Sequence, residues 1–395
     1  MAERPRATAG PRPPLWRNPR ARRAAGQALF LVAVVAVARE AFLNLEFGVA
    51  QQQQDLTFGF LRSRAGFGIK EGIAYSPNDS VLRAFVVGLV NTVLLSAIGI
   101  VLATFLGLVM GVARLSPNWL VRRIAALYVN VIRNTPVAIQ IIFWWAAAFL
   151  ALPAFADAVS IGEVAFVSNR GAAIPRPRVE AGAAAWGIAL LAGVTIAAVA
   201  WVWRTRLNER TGRPHRRVLW SLGVLTIVAV AGFLVTGTPL RIEVPEPLRF
   251  SYRGGFQLSP EFAALLLALV IYTGAFIAEI VRGSIQAVDR GQKEAAEALG
   301  FTPFQQLRYI VLPQALRIAI PPVNSQYLNL MKNSSLGILI AYPELAAVTG
   351  TIINQKAHET QMLLLMMSTY LALSLTISAV MNGLNRAVST RGQRR

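Results

Sequence analysis

Long runs of apolar residues, separated by short polar segments, make up most of this chain. The hydrocarbon core of a bilayer requires about 20 mostly apolar residues in an α-helix. About eight runs meet this requirement, at 24–43, 84–113, 133–153, 183–203, 217–237, 259–283, 316–340 and 361–384. The pattern therefore predicts an all-α, multi-pass membrane protein with about eight transmembrane helices. Because the run at 84–113 exceeds one span, we expect it to tilt or to extend beyond the bilayer.

The first apolar run admits a second interpretation. A basic leader at 20–23, an apolar stretch and the small residues at 36–38 are also typical of a cleavable signal peptide. The leader is long, however, and apolar residues resume after Arg39 and Glu40. We therefore expect a retained transmembrane helix, with cleavage as the alternative.

Charge separates the chain from soluble basic proteins and orients it. The net charge is +20, almost all of it from arginine, while 55% of the 395 residues are hydrophobic. A nucleic-acid-binding protein shares the charge but not the apolar content, so no nucleic-acid partner is expected. Cytoplasmic loops are enriched in Lys and Arg, which predicts that both termini are cytoplasmic. The basic segments are the N-terminal tail, 114–123, 204–217 and the C-terminal STRGQRR, and with eight spans they all fall on the cytoplasmic side together with the loop 289–313. The more mixed segments 44–82, 154–182 and 238–258 fall outside, with Arg170, Arg176 and Arg178 as exceptions.

Residues that could carry enzyme chemistry are scarce. The chain has no cysteine, and its two histidines, His215 and His358, lie in predicted loops without metal-ligand spacing. None of its four lysines follows a glycine, so the chain has no P-loop for ATP. No nucleophile or acid/base pair is clustered as an active site requires. We therefore expect neither an enzyme nor a cofactor or metal.

The distribution of polar residues within the apolar runs divides the chain. The helices in 84–153 and 259–386 contain polar residues, which are costly in lipid unless they are used or paired. The segment 154–258 contains two plain apolar helices and reads as an insertion. The remaining predicted parts are a disordered basic tail at 1–23, an additional span at 24–43, an outer segment at 44–83 and a second basic tail at 387–395.

One polar loop, 289–313, has strong helix signals. Asp289 and Thr302 are N-cap candidates, each followed three residues later by a glutamine at capping-box spacing. Gly300 suits the left-handed position after a helix. Leu312-Pro313 is predicted to end the second helix. The loop is thus expected to be a rigid helix–corner–helix that presents small alanines to another protein, although a plain linker between two spans is the alternative.

Several motifs carry a resemblance to a known family. Glu294-Ala295-Ala296, then Gly300, Ile310 and Leu312-Pro313 resemble the EAA loop of bacterial ABC importer permeases. The segments that resemble the polar amino-acid branch (histidine, glutamate, glutamine, arginine and opine) are VGLVNTVLLS at 87–96, YVNVIRNTPVAIQ at 128–140, YTGAFIAEIVRGSIQAVDRGQKEAAEALG at 272–300 and MKNSSLGILIAYPEL at 331–345. The additional spans resemble the larger permease subunit of general L-amino-acid importers.

The resemblance implies a fold, partners and coupling residues. The fold is a five-helix type I ABC importer core in the bacterial inner membrane. The partners are a cytoplasmic ABC ATPase dimer, a second permease subunit that is a related chain, and a periplasmic amino-acid-binding protein. The EAA loop sits in a groove of the ATPase in that family. The residues assigned to this coupling are Gln292, Glu294, Ala295, Ala296, Gly300, Ile310, Leu312 and Pro313.

Polar residues within the spans are candidates for the substrate path. Lys332, Asn333, Ser334 and Ser335 form the most polar run in the seventh span and are favoured for this role. Glu279 and Arg282 share a helix face and are either a gate or a structural ion pair. For Arg133 and Thr135 the alternative is helix entry. For Asn91 and Thr92 it is hydrogen bonding between helices, which is favoured.

A different transport mechanism is the main competing hypothesis. An ion-gradient-driven secondary transporter would show inverted repeats and interrupted half-helices at matching positions, and neither is evident in the sequence. The second permease subunit is expected to be either a related chain or a second copy of this one.

Overall fold

The computed structural model describes residues 19–51, 57–211, 216–248 and 252–393. Its helices are α1 (Pro19–Gln51), α2 (Val81–Ala113), α3 (Trp119–Arg133), α4 (Val137–Phe143), α5 (Ala183–Thr211), α6 (Arg217–Val235), α7 (Pro260–Gln286), α8 (Arg290–Ala298), α9 (Pro303–Gln306), α10 (Leu312–Asn333), α11 (Leu345–Lys356) and α12 (Glu359–Gln393). Short 3₁₀-helices lie at Gly59–Arg62, Phe155–Asp157 and Ser334–Ile340. Two π-helices lie at Trp144–Phe149 and Leu307–Val311. Most of the predicted tail at 1–23, three residues of the glutamine tract at 51–54, and His215 fall outside the described residues.

The predicted class, a mostly helical multi-pass membrane protein, is confirmed. Within the described residues, six helices are long and apolar enough to cross a membrane. Two further pairs of helices qualify if each bent pair is counted as one span, which gives up to eight. Six predicted spans thus correspond to single helices, and the third and seventh correspond to the bent pairs.

The third span differs from its prediction as one helix at 133–153. Helix α3 already begins at Trp119, and it makes an angle of 104° with the next helical piece, at 137–149. The break lies at Asn134–Pro136 because proline disfavours a helical residue before it. The buried Gln140 bridges the break, since its Nε2 donates to the carbonyl oxygens of Ile132 and Thr135, both at 3.0 Å. Arginines within the amphipathic α3 concealed this helix from a search for apolar runs.

Helices α2 and α7 form the centre of the bundle and approach each other closely. A Cβ atom added to Gly107 would lie 2.5 Å from Cγ2 of Ile277. One added to Gly111 would lie 2.8 Å from the carbonyl oxygen of Ala278. Glycines four residues apart on one helix face are a common device for such close helix packing in membranes. The buried core around this contact includes Leu95, Ala103, Leu265, Leu269, Ile277 and Leu330.

The segment 154–258 contains a helical hairpin and also β-strands that the sequence analysis did not predict. Helices α5 and α6 pack on each other, and Trp186 Nε1 donates to the carbonyl oxygen of Ala229 at 3.0 Å. The strands are β1 (Val159–Ile161), β2 (Ala165–Ser168), β3 (Gly171–Ile174), β4 (Arg176–Val179), β5 (Leu240–Glu243), β6 (Glu246–Pro247), β7 (Tyr252–Arg253) and β8 (Phe256–Leu258). They form a four-stranded sheet in the order β1-β2-β3-β8 and the pairs β4-β5 and β6-β7, all antiparallel. Strands of two to four residues are too short for a periodic signal in the sequence.

The segment before α2 packs against the start of α12 and against α11. Phe60 stacks on His358 with ring centroids 4.0 Å apart. The buried Ala65 lies in one cluster with Val81 and Leu345. The predicted outer segment at 44–83 therefore contains ordered structure, and α1 extends into it as far as Gln51.

Candidate functional site

The loop between α7 and α10 forms the predicted helix–corner–helix. Asp289 caps α8, its Oδ1 accepting from the backbone N–H of Gly291 at 2.6 Å. Gly300 takes the left-handed conformation with φ of +76°. The N–H of Phe301 donates to the carbonyl oxygen of Ala296 at 3.0 Å, and the N–H of Gly300 to that of Glu297 at 2.9 Å. These two bonds define a Schellman motif, which closes the helix end and sets the corner.

The second half of the loop starts as predicted but does not end there. Thr302 and Gln305 form a reciprocal capping box, with bonds of 3.4 and 2.8 Å. The prediction that Leu312-Pro313 ends this helix is wrong. The chain passes through the π-helix Leu307–Val311 directly into α10, with the N–H of Leu312 bonded to the carbonyl oxygen of Leu307. The wider π turn relieves the clash between a proline ring and the carbonyl four residues before it.

The exposed surface of this loop includes large apolar side chains beside its polar residues and alanines. Ala296 is only 1% exposed and faces inward, whereas Leu299 is 75% exposed and Phe304 is 67% exposed. The expectation that small alanines form the outward surface is therefore wrong for Ala296, although Ala295 is exposed. The exposed members of the coupling set also include Gln292, Glu294, Gly300 and Leu312, whereas Ile310 and Pro313 are half-buried.

The loop is anchored to the spans on either side of it. A buried cluster with Ile285 of α7 is formed by Val288 just after α7, Val311 of the π-helix and Ala315 of α10. This cluster packs the loop against the end of α7 and the start of α10. Glu294 makes an exposed ion pair with Arg290 at 3.8 Å, which contributes little stability at such exposure.

Glu279 joins the ends of two spans. Its carboxylate accepts hydrogen bonds from Arg282 one turn on and from Arg114 at the C-terminal end of α2. Arg282 also donates to Gln286. The guanidinium of Arg133 lies 5.0 Å from the ring centroid of Phe276, a cation–π contact. This arrangement favours the structural interpretation of the Glu279 and Arg282 pair over the gate.

The polar run of the seventh span lies where α10 passes into a 3₁₀-helix. Lys332 is exposed on the last turn of α10, and Asn333 is half-buried beside it. The hydroxyl of Ser334 is buried and donates to the carbonyl oxygen of Met331 at 2.6 Å. That of Ser335 donates to the carbonyl oxygen of Lys332 at 2.7 Å. The hydroxyl groups of both serines are thus bonded to backbone carbonyls of the same chain segment, whereas Lys332 is the exposed member of this run.

Asn91 and Thr92 connect α2 to the start of α11. Asn91 Nδ2 donates to the carbonyl oxygens of Pro343 at 2.8 Å and Glu71 at 3.2 Å. Thr92 Oγ1 accepts from the N–H of Leu345 at 3.0 Å. Thr135, in the break after α3, instead donates to the carbonyl oxygen of Val131 in the last turn of α3. The first two contacts favour hydrogen bonding between elements, and the last favours a role at the helix break.

Comparisons with known proteins show which family of proteins this chain resembles. Residues 218–393 match the sequence model of the binding-protein-dependent transport system inner membrane component family. The putative amino-acid ABC transporter permease YhdX of Escherichia coli is 41% identical, over 94% of this chain and 95% of the relative. The general L-amino acid transport system permease AapQ of Rhizobium johnstonii is 41% identical, over 87% and 86%. A solved amino acid ABC transporter with histidines is 19% identical with a TM-score of 0.46, over 78% of this chain and 94% of that one.

The identity to the two curated relatives extends over most of both proteins. The chain belongs to the amino-acid ABC transporter permeases. It is a multi-pass inner-membrane transport subunit, as the sequence analysis predicted, and the likeness to general L-amino-acid permeases is confirmed.

Sequence reasoning missed a buried carboxylate in this permease. The side chain of Glu344 is fully buried and caps α11, accepting from the N–H groups of Ala346 at 2.9 Å and Ala347 at 2.7 Å. It also accepts from the hydroxyl of Tyr370 on α12 at 2.9 Å. Glutamate is not among the residues that commonly cap helices, so the sequence carried no strong signal for this cap. The search for one unbroken span over 316–340 passed over it.

Proposed function

We propose that this permease imports amino acids into the bacterial cell, driven by ATP hydrolysis on a partner ABC ATPase that contacts the loop 289–313. A second, related permease subunit completes the path, and a periplasmic binding protein delivers the substrate. Both termini and the loop lie in the cytoplasm, because the positive charge is concentrated on that side. The relative AapQ, described as a general L-amino acid permease, supports a broad range of L-amino acids as substrates.

The observation that carries the coupling role is the exposure of Leu299 and Phe304 around a rigid corner. Large apolar side chains on a polar loop outside the membrane are costly to leave in water, and they suit the buried centre of a protein interface. The Schellman corner and the anchor at Val288 and Val311 make the loop stiff. A stiff lever with an apolar tip transmits the motion of a partner to α7 and α10.

Leu299→Asp tests this contact. The tagged permease is purified from its native membrane, and the ATPase activity that accompanies it is measured together with amino-acid uptake by cells. We expect the variant to lose most of both while it remains in the membrane, because the charge has to be desolvated in the interface. Leu299→Met is the matched control and should retain both. Wild-type uptake that continues after ATP depletion with an intact ion gradient would instead support a secondary transporter.

Gly300 gives a second test that leaves the surface almost unchanged. A Cβ atom at this position meets nothing within 4 Å, so only the backbone conformation opposes a side chain. Asparagine tolerates the left-handed region, and a β-branched residue does not. Gly300→Val should therefore impair ATP-coupled uptake strongly, whereas Gly300→Asn should retain most of it. Equal uptake by the two variants would contradict a role for the rigid corner.

A further inference from the structure

A cavity of about 600 Å³ lies at the opposite end of the bundle from the coupling loop. We call it the outer cavity. Its wall consists of the segment 67–71 before α2, the first turn of α7, the break before α11, and one face of α11. Helix α7 runs from this cavity to the loop, which places the two sites at opposite ends of one span. The polar groups that line the outer cavity are Lys70, Glu71, Ser259, Glu261, Thr351 and Asn354.

In the described part of the chain, the outer cavity is lined by side chains of both charges that form no ion pair with each other. Among the described residues, no ion pair joins Lys70, Glu71 or Glu261 to another side chain. Burial raises the pKa of Glu71; hydrogen bonding from Ser259 opposes this shift, and the negative charge of Glu261 adds to it. Two neighbouring carboxylates in a partly desolvated wall favour a bound cation, since it offsets their repulsion.

The backbone that presents Glu71 is held in place from two sides. Its carbonyl oxygen accepts from Asn91 of α2, which also donates to Pro343 at the break before α11. Gly72 follows with φ of +110°, and a Cβ atom there would lie 2.5 Å from Oδ1 of Asn91. The loop is thus fitted against the helices, and binding groups on a fixed backbone lose little entropy when a ligand arrives.

The rest of the lining is mostly apolar. It includes Ile338, Ala341, Pro343, Ala347, Val348 and Gly350. Small-molecule sites in proteins commonly measure about 300–1,000 Å³, and combine apolar walls with a few polar groups that fix orientation. The outer cavity meets this description and leaves room beside its charged groups for side chains of different size.

We propose that the outer cavity binds free amino acids: the carboxylates of Glu71 and Glu261 hold the α-ammonium group, Lys70 holds the α-carboxylate, and the apolar wall takes the side chain. Recognition through the two groups that all free amino acids share gives broad specificity. The proposal rests on the proposed function of the permease in amino-acid import, and assigns the first contact of the substrate with this chain.

Binding of radiolabelled L-leucine to the full-length permease in nanodiscs tests the proposal. Saturable binding to the wild type is expected. Glu261→Gln and Glu71→Gln should each weaken it about tenfold, the effect of removing one charge-assisted hydrogen bond. Glu246→Gln, an exposed carboxylate outside this cavity, is the matched control and should leave binding unchanged. Wild-type affinity in both cavity variants, or no binding to the wild type, would overturn the proposal.

Competition for L-leucine binding to the wild-type chain is a second test, and it requires no variant. N-acetyl-L-leucine lacks the ammonium group and L-leucinamide lacks the carboxylate, so neither should displace L-leucine as well as L-leucine itself does. Equal displacement by all three compounds would overturn the assignment of the charged groups. Uptake by cells separates the two proposals. If import requires the ATPase but the cavity variants bind L-leucine normally, the outer cavity is not the binding site and the proposed function stands. If the wild type imports no amino acid, the proposed function is wrong.

Discussion

Helices α2 and α7 are about as apolar as α5 and α6, but the two pairs differ in what covers them. In the most apolar windows of α2 and α7, 28% and 61% of the residues are buried, against 6% in each of α5 and α6. Val199 of α5 is 65% exposed and Val235 of α6 is 86% exposed, as befits helices surrounded by lipid or another chain.

Small residues and polar groups account for the difference. Helix α7 buries a series of alanines along with Thr273, Gly274 and Ser284, and α2 offers glycines to it. The hairpin has a lesser version of the same contact, in which a Cβ atom on Gly193 would lie 3.0 Å from Cγ1 of Val228. High hydropathy thus indicates that a helix lies in the membrane, whereas regularly spaced small residues indicate which of its faces packs against another helix.

The largest loss of stability is expected at the close contact between α2 and α7, where there is no space for a larger side chain. Gly111→Leu forces a side chain against the carbonyl oxygen of Ala278, and should destabilise the fold by about 3 kcal/mol or more. Gly223→Leu in α6 is the matched control, since a Cβ atom there meets nothing within 4 Å. Thermal melting of the purified proteins in detergent measures both. Equal melting temperatures would show that the close approach of α2 and α7 does not stabilise the core.

A buried hydrogen bond gives the next largest effect. Thr92→Val keeps the shape but leaves the N–H of Leu345 without its acceptor, which should cost about 1–3 kcal/mol. Ser221→Ala in α6 is the counterpart in the hairpin. Its buried hydroxyl has no hydrogen-bond partner among the described residues, so the change should be close to neutral. If denaturant titrations show Ser221→Ala to be more destabilising than Thr92→Val, the distinction between α2 with α7 and α5 with α6 is wrong.

The hairpin itself should respond more weakly. Trp186→Phe removes one hydrogen bond to the carbonyl oxygen of Ala229. The backbone of Ala229 itself remains helical within α6. The expected loss is about 0.5–1.5 kcal/mol, confined to the hairpin. Hydrogen exchange measured by mass spectrometry should therefore show faster exchange in α5 and α6 and no change in α7. Faster exchange in α7 would indicate that the hairpin and the core unfold together.

Removal of the hairpin should have the smallest effect on the core. The carbonyl oxygen of Thr236 would lie 2.5 Å from a Cβ atom on Gly182, so the ends of the hairpin are adjacent and a short Gly-Ser linker can replace 183–235. The melting temperature of the remaining bundle should stay within a few degrees of the wild type. A large decrease would show that α5 and α6 support the core despite their exposure.

The spans and the corner were accessible from the sequence because each depends on local signals. Apolar runs, the Thr302 capping box and the position of Gly300 each depend on residues that are close together in the sequence. The break of the third span at Pro136 was also signalled by the proline, but arginines on the amphipathic α3 obscured the helix before it. The continuation past Pro313 was not, because a π turn depends on how a whole helix is packed.

Local properties of the sequence indicate that this chain lies in a membrane, and which loop carries a rigid corner. These properties follow from hydropathy and from backbone preferences that act over a few residues. Packing between distant segments is what brings Glu279 to Arg114, holds Glu71 in place through Asn91, and turns Leu299 rather than Ala296 outward. Such contacts join residues far apart in the chain, or depend on which helix face the neighbours leave open, and a single sequence contains no local signal for either.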